Sequence, residues 1–407
     1  MSIRRVPFWL DRFPSSRRPS YAQLRSDCET DVVIVGGGLT GCACAWSFAA
    51  AGVKTVLLEA DTIGGATTSR GTGVVREDFE ASFQQTAALH GLRAARTLWQ
   101  SMHRASLDLA AAARRLELPC DLGPQEVLAF APPGAAAARP LRREYESRRA
   151  AGLDHRWVTP ASLARETALE SGGAIRTRGS SLDPYRACLG FAHAAADRGA
   201  VLHERTAVRR IRAGRKQVEV TTERGTILAQ SVVVATAAPL PDLRALRRHL
   251  KSRHTYTVVT EPLPAAVRRE TGRRAATLRG SESPSHTLRW LRDDRILFAG
   301  ADQPEVSLRG RDKALTQRTG QLMYELSLLY PAISGLQPEW AWDALHYETV
   351  DHLPFVGLHR NFPRHLFALG ADRHGPAVAW LAARLTLRQY QEAPTKGDDL
   401  FSFARVL

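Results

Sequence analysis

Apolar residues along this chain recur with one of two periods, and the switches between the periods predict the order of its elements. The apolar run 32–35 reads as a buried strand, followed by a glycine-rich turn over 36–41. A small-residue helix then runs through Ala45 and Phe48 to Gly52, and a second apolar strand ends in Glu59. A helical stretch covers about 81–116 with a break at Gly91, then a short strand at "EVLAF" and a helix near 139–150. Asp183-Pro184 opens another helix, which turns at Gly199 into a strand. "QVEVTTERGTILAQSVVVATAA" is a hairpin turning at Arg224-Gly225 whose second arm becomes the buried strand 232–235. Alternating strands fill 252–300, with a turn at Asp293-Asp294, and a helix over 311–330 is stopped by Pro331. Near the end "LFALG" (366–370) is a strand. Behind it Val378, Leu381, Ala382 and Leu385 repeat at i, i+3, i+4, i+7, so a helix begins at Pro376.

The order is therefore α/β, mixed, α/β, β-rich, α/β. It predicts an α/β fold in which a Rossmann-type dinucleotide domain is interrupted by a second α+β domain with a mixed or antiparallel sheet. The expected division is a basic, Pro-containing arm over 1–29, the dinucleotide domain over 30–78, 153–240 and 338–395, a substrate domain over 79–152 and 241–337, and a tail over 396–407.

Composition narrows the class only a little. The chain has 407 residues, 44% hydrophobic and 24% charged, which suits an ordinary globular protein of two domains. No apolar run reaches a membrane span, the first residues lack the apolar core of a signal peptide, and the five cysteines are odd in number and scattered. A cytoplasmic location is the expectation. The net charge of +15 could suit nucleic acid, but the arginines are spread along the whole chain, which favours a solvated basic surface.

The sharpest chemical signal is Gly36, Gly38 and Gly41 directly behind the first strand. The first glycine permits the tight turn, the second lets backbone approach a pyrophosphate, and the third lets helix pack on strand. Glu59, at the end of the second strand, is placed to accept hydrogen bonds from an adenosine ribose. A second glycine- and hydroxyl-rich loop, "IGGATTSRGTGVV" (63–75), follows at once, which favours FAD over NAD. With "PFWLDR", "DVVIVGGGLTG…LLEA", "IGGATTSRGTG", "SLDPYR…AAADRGAVLHERTAV", "VVVATAA", "YTVVTEPLP", "LRWLRDDRILFAGAD", "EWAWDALHYETVDHLPFVG" and "LFALGADRHGP" in that order, the chain resembles the D-amino acid oxidase-like FAD-dependent oxidoreductases. Within that family it resembles glycine and sarcosine oxidases and, more closely, bacterial amine oxidases of the gamma-glutamylputrescine oxidase type.

That resemblance implies an enzyme holding FAD through Gly36, Gly38, Leu39, Thr40, Gly41, Glu59, Ala60, Thr67, Ser69, Arg70, Val208 and Ala235 at one end. Gly370, His374, Gly375 and Pro376 would lie over the pyrimidine end of the flavin; Arg373, from its earlier place in the loop, is expected to turn outward. No cysteine follows Cys188, so a noncovalent cofactor is expected. The resemblance also implies hydride transfer from a carbon bonded to nitrogen, hydrolysis of the resulting imine, and reoxidation by O2 or another acceptor. Two departures stand out. His346 occupies the place where amino acid oxidases of this kind carry an arginine for the substrate carboxylate, which argues for an amine rather than a simple amino acid. Gly370-Ala371-Asp372-Arg373-His374-Gly375 replaces a glycine-rich run. The catalytic candidates are His346, Tyr347, His374 and Arg289, the last read equally as a substitute clamp or an exposed strand residue. Tyr256, His254, Trp290 and Trp342 read as core or rim aromatics more readily than as cavity walls. No metal signature is present. The rival readings are an FAD-dependent tRNA-modification enzyme and a flavin-binding subunit with little activity alone.

Overall fold

The computed structural model describes residues 3–406 apart from 237, 283 and 284, so Met1, Ser2 and Leu407, at the ends of the expected arm and tail, lie outside the described residues. Two eight-stranded sheets organise it. The first grows around Cys28–Val35, which pairs in parallel with Thr55–Leu58 on one side and Thr226–Val234 on the other. Val201–His203 continues the parallel set beyond Thr55–Leu58, and Phe362–Leu369 continues it beyond the end of Thr226–Val234. Val32–Val35 are all buried, as a parallel strand covered on both faces requires. The helices Leu39–Ala50, Pro184–Asp197 and Pro376–Tyr390 pack on this sheet and against one another. Asp183 caps the second of these by accepting from the Arg186 N–H at 3.0 Å.

The second sheet runs, in spatial order, Pro338–Thr349, Leu250–Thr260, Ile296–Pro304, Thr287–Trp290, Thr277–Gly280, Val127–Phe130, Ala174–Thr177 and Arg156–Val158. Only Thr277–Gly280 and Val127–Phe130 pair in parallel. The helix Arg311–Leu329 covers one face, burying Leu315, Leu322 and Leu326 with Val258, Phe298 and Ala301. The mixed sheet is as the sequence predicts, but pairing does not respect the boundaries expected at 153 and 338. Arg156–Val158, Ala174–Thr177 and Pro338–Thr349 lie in the second sheet, because their partners in the ladder, not their neighbours in sequence, decide where they belong.

The arm and tail are docked. Phe8 and Trp9 are buried, Trp9 Nε1 donates to the Gly71 carbonyl at 2.8 Å, and Phe8 meets Trp340 edge-on. At the other end Phe403 stacks on Phe355 at 4.5 Å and Arg405 Nε donates to Asp351 Oδ2 at 2.7 Å. The long helical stretch breaks where expected, into Phe83–His90 and Leu92–Arg115, at Gly91 with φ +82°.

Candidate active site

The carboxyl ends of the central strands open into a cavity of about 410 Å³, at the point where strand order diverges on either side of Cys28–Val35. Its near end is built by glycines, each for a separate reason. Gly36 has φ +109°, and a Cβ there would stand 2.7 Å from the Ala235 carbonyl oxygen. A Cβ at Gly41 would stand 1.8 Å from the Gly36 oxygen, so this glycine permits helix-on-strand packing and does not itself line the cavity. Gly38 differs: its Cβ would meet only Thr68 Oγ1, at 3.2 Å, and the residue lines the cavity. The N-cap Gly38 has no side chain to cap the helix Leu39–Ala50 that begins here; Thr68 Oγ1 accepts from the Leu39 N–H at 2.9 Å, and the rest of the helix's positive end faces the cavity.

Glu59 Oε2 accepts from the Gly37 N–H at 2.6 Å and Oε1 from the Asp61 N–H at 2.8 Å, which aims the carboxylate along the cavity wall. Burial raises its pKa, while those N–H groups work in the opposite direction. Leu39, Thr40, Ala60, Thr67, Val208 and Ala235 also line the cavity. Arg70 does too, its Nη1 donating to the Asp343 carbonyl at 2.9 Å. Ser69 is not in the wall; its hydroxyl donates to the Gly65 and Ala66 carbonyls and closes the short helix Thr67–Arg70.

The far end is built by side chains from five segments. Gly370, at φ +70°, turns the chain beneath Thr349 and stays out of the wall, so its expected contact with a cofactor is replaced by those of Ala371, His374, Gly375 and Pro376. The helix Pro376–Tyr390 also lacks a side-chain cap. His374 is buried and its Nδ1 has no hydrogen-bond partner among the described residues. Burial pushes its pKa down to about 3, so the imidazole is neutral and contributes a hydrogen-bonding nitrogen, not positive charge.

Arg373, expected to face outward, turns inward. Its Nη1 hydrogen bonds with His346 Nε2 at 2.8 Å and lies 2.5 Å from Asp302 Oδ2, while its Nε is 3.6 Å from Glu80 Oε2. Thr255 Oγ1 donates to Asp302 Oδ1 at 2.7 Å and is 3.4 Å from His346 Nδ1. These contacts assign the Nδ1–H tautomer to His346 and close a ring from Arg373 through His346 and Thr255 to Asp302. Burial first, and Arg373 second, push His346 down to about 4. Glu80 also accepts from Arg76 at 2.7 Å and Arg279 at 2.6 Å. Burial would raise its pKa, but Arg279, Arg76 and Arg373 overcome that and hold it well below the usual carboxylate range.

Two catalytic candidates fall elsewhere. Arg289 is buried, donates from Nη1 to the Thr72 carbonyl at 2.6 Å and the Leu182 carbonyl at 2.8 Å, and stacks on Trp9. It is neither a clamp nor exposed; it ties the end of the second glycine loop to the sheet. Tyr347 is also absent from the cavity wall, because strand alternation that turns His346 inward turns its neighbour away. Of the aromatics, Tyr256 and Trp290 belong to the second core, Trp342 donates from Nε1 to the Arg70 carbonyl at 3.0 Å, and His254 Nδ1 lies 2.8 Å from Asp343 Oδ2. The alternation of "HTYTVVT" carried a usable signal. It places Thr255 and Thr257, not His254 and Tyr256, on the cavity side. Glu80 sits in no recognisable motif, and Asp302, which closes the stretch "LRWLRDDRILFAGAD", reads there only as a strand residue.

An open cradle at Gly38, two helix starts whose N-cap residues are glycines and the orphaned His374 Nδ1 on one continuous wall fit an elongated anionic cofactor with a polar ring at its far end. Residues 31–389 match the family model DAO, described as FAD dependent oxidoreductase. The chain is 23% identical over 364 residues to the probable oxidoreductase OrdL of Haemophilus influenzae, covering 87% of this chain and 81% of that protein. It is 25% identical over 368 residues to gamma-glutamylputrescine oxidoreductase of Escherichia coli, covering 89% and 84%. Glycine oxidase from Geobacillus kaustophilus has the same fold, with a TM-score of 0.78 at 21% identity over 93% of this chain and 99% of that one.

Proposed function

Since the chain belongs to the DAO family of FAD-dependent oxidoreductases, we propose that it oxidises the C–N bond of a small amine or amino acid to an imine, which water hydrolyses. Noncovalent FAD would be held by Gly36, Gly38, Leu39, Thr40, Glu59, Ala60, Thr67, Arg70, Val208 and Ala235 at the adenosine and pyrophosphate end, and by His374, Gly375 and Pro376 at the ring end. Bound there, it supplies a two-electron acceptor, which O2 or another carrier regenerates. The protein's own part is to bind, orient and exclude water. No described helix is long and apolar enough to cross a membrane.

The observation that carries this reading is the polar ring of Thr255, Asp302, His346 and Arg373 at the end of a cavity that begins at the glycine loop. It also revises the substrate expected from His346 alone. Arg373 brings a guanidinium to within 2.8 Å of the imidazole that stands in the arginine position, and its Nη2 donates no hydrogen bond to a described residue. A carboxylate-bearing amine therefore fits as well as a plain one. Anaerobic titration of the as-isolated flavoprotein with a panel of amines and amino acids tests the reading. Bleaching of the flavin band by at least one amine is expected. A flavin that no member of the panel reduces would overturn the proposal and favour a subunit that needs a partner.

A further inference from the structure

Three consecutive carbonyls of the second glycine loop are each tied from behind. The Arg70 carbonyl accepts from Trp342 Nε1 at 3.0 Å, the Gly71 carbonyl from Trp9 Nε1 at 2.8 Å and the Thr72 carbonyl from Arg289 Nη1 at 2.6 Å. None of these three donors lines the cavity, whereas Arg70, Gly71, Thr72, Gly73 and Val74 all do. In a trans peptide the N–H of the following residue points opposite to the carbonyl. Holding the Gly71 and Thr72 carbonyls behind the loop therefore turns the N–H groups of Thr72 and Gly73 to its cavity side. The Gly71 N–H is engaged with the Thr68 carbonyl at 3.3 Å, but those of Thr72 and Gly73 make no hydrogen bond among the described residues.

These two N–H groups lie between the two ends of the site. Upstream, Thr68 reaches the Leu39 N–H beside the Gly38 cradle. Downstream, the Val74 carbonyl oxygen is 2.9 Å from where a Cβ at Gly375 would stand, at the ring end. Two of the three donors belong to the second sheet. The third does not: Trp9 is in the N-terminal arm, ahead of the residues that the family model matches. The arm has its own anchors on both sides of Trp9. The Arg4 N–H donates to the Glu339 carbonyl at 2.9 Å and the Ala341 N–H to the Arg4 carbonyl at 3.0 Å, while Trp340 Nε1 donates to Asp11 Oδ2 at 2.9 Å. The Trp9 N–H is left to serve one loop carbonyl.

We infer that Trp9 is a positioning residue for the cofactor: from outside the cavity it fixes the Gly71–Thr72 peptide, so that the Thr72 N–H, with that of Gly73, is presented to the wall along which the FAD ring would lie and favours its reduced, electron-rich state. This rests on the family's cofactor and not on the amine substrate. Fixed N–H dipoles on a cavity wall stabilise negative charge that develops beside them, with no reorganisation at the moment it appears. The effect is therefore on the balance between reduced and oxidised cofactor, which a residue that only anchors the arm would not move.

The reduction potential of the FAD-loaded protein, titrated anaerobically against a reference dye, tests this. Trp9→Phe keeps a ring against Phe8 and Arg289 and removes only the donor. It should weaken binding of reduced relative to oxidised flavin about threefold to tenfold, which for two electrons lowers the potential by about 14–30 mV. Thr72→Pro deletes the N–H itself and leaves the Gly71 carbonyl with Trp9, and should lower the potential at least as far. Either variant decides if the other fails to retain FAD. Trp340→Phe is the control. It removes the indole donor to Asp11 and touches no loop carbonyl, so it should lower thermal stability and leave the potential unchanged. An unchanged potential in Trp9→Phe or Thr72→Pro, or an equal fall in Trp340→Phe, would overturn the inference and leave Trp9 an anchor of the arm. The dye, not a substrate, delivers the electrons. If the potentials shift as expected but no amine reduces the flavin, the proposed function fails and this inference stands. If amines reduce the flavin and no potential shifts, the reverse is true.

Discussion

The two ends of the cavity are built on opposite principles. At the glycine end the ligand surface is backbone, and the residues that matter are those whose side chains are missing, within a few positions of one another. At the ring end the surface is side chain. Glu80, Thr255, Asp302, His346 and Arg373 come from five separated segments and hold one another by charge and hydrogen bonds. A site made of backbone tolerates almost no change at its glycines, whereas a site made of side chains can exchange partners while the fold persists. Arg373 illustrates this, since it brings a guanidinium from a different loop to hydrogen bond with His346 on the strand.

The largest test of this contrast is at Gly38 and Gly41. Gly38→Val should fold, since a Cβ there meets only Thr68 Oγ1, yet retain FAD at least about a hundredfold less well, because the side chain enters the pyrophosphate approach. Gly41→Val should instead fail to give folded protein, which circular dichroism of the two variants would separate. If both fold and both bind FAD, the glycine end is not a backbone cradle.

The ring end should be sensitive to pH in a way the glycine end is not. His346 and His374 sit at about 4 and about 3, below the ordinary 6.5, so the unfolded chain binds more protons than the folded one between those values. Their contribution is fully present above about pH 6.5 and is lost as pH falls toward 4, together on the order of 3 kcal/mol between pH 7 and pH 5. Urea midpoints of flavin-free protein at the two pH values measure it, and His346→Gln with His374→Gln should flatten the difference. An unchanged slope in the double variant would place the sensitivity elsewhere.

Next in size, Arg373→Ala should raise KM for carboxylate-bearing amines about tenfold to thirtyfold, on the order of 2 kcal/mol, and leave plain amines less affected. Equal losses for both classes would mean that Arg373 only supports the ring. The smallest effect is expected at Arg289. Arg289→Met leaves the Thr72 and Leu182 carbonyls without their donor and should lower stability by about 1–2 kcal/mol in thermal unfolding, with KM unchanged. A rise in KM would restore Arg289 to the substrate site.

Reading the chain alone gave the right elements where a local signal existed: Asp183-Pro184 opening a helix, Gly91 breaking one, Arg224-Gly225 turning a hairpin. Side-chain direction was less legible. His374 reads from the sequence as a cavity residue, but its neutral state does not, because its burial depends on partners such as Phe79, which meets it edge-on at 5.7 Å from a segment far away in sequence. Arg373 reads as outward from its earlier place in the loop, ahead of His374. Glu80, which draws it in, carries no pattern that would announce it, and Asp302 closes a strand whose regular alternation would turn it into the core.

By itself, then, the sequence determined the dinucleotide end. A turn with φ +109°, a close approach of helix to strand and an acid at the next strand end are local backbone requirements, and they leave glycines and a glutamate at a legible spacing. Tertiary structure alone decided the ring end. Which strands share a sheet, which way a bulged strand turns Asp302, and whether a loop arginine meets water or a buried carboxylate are set by long-range pairing and burial. Those quantities belong to partners distant in the chain, and no single segment encodes them.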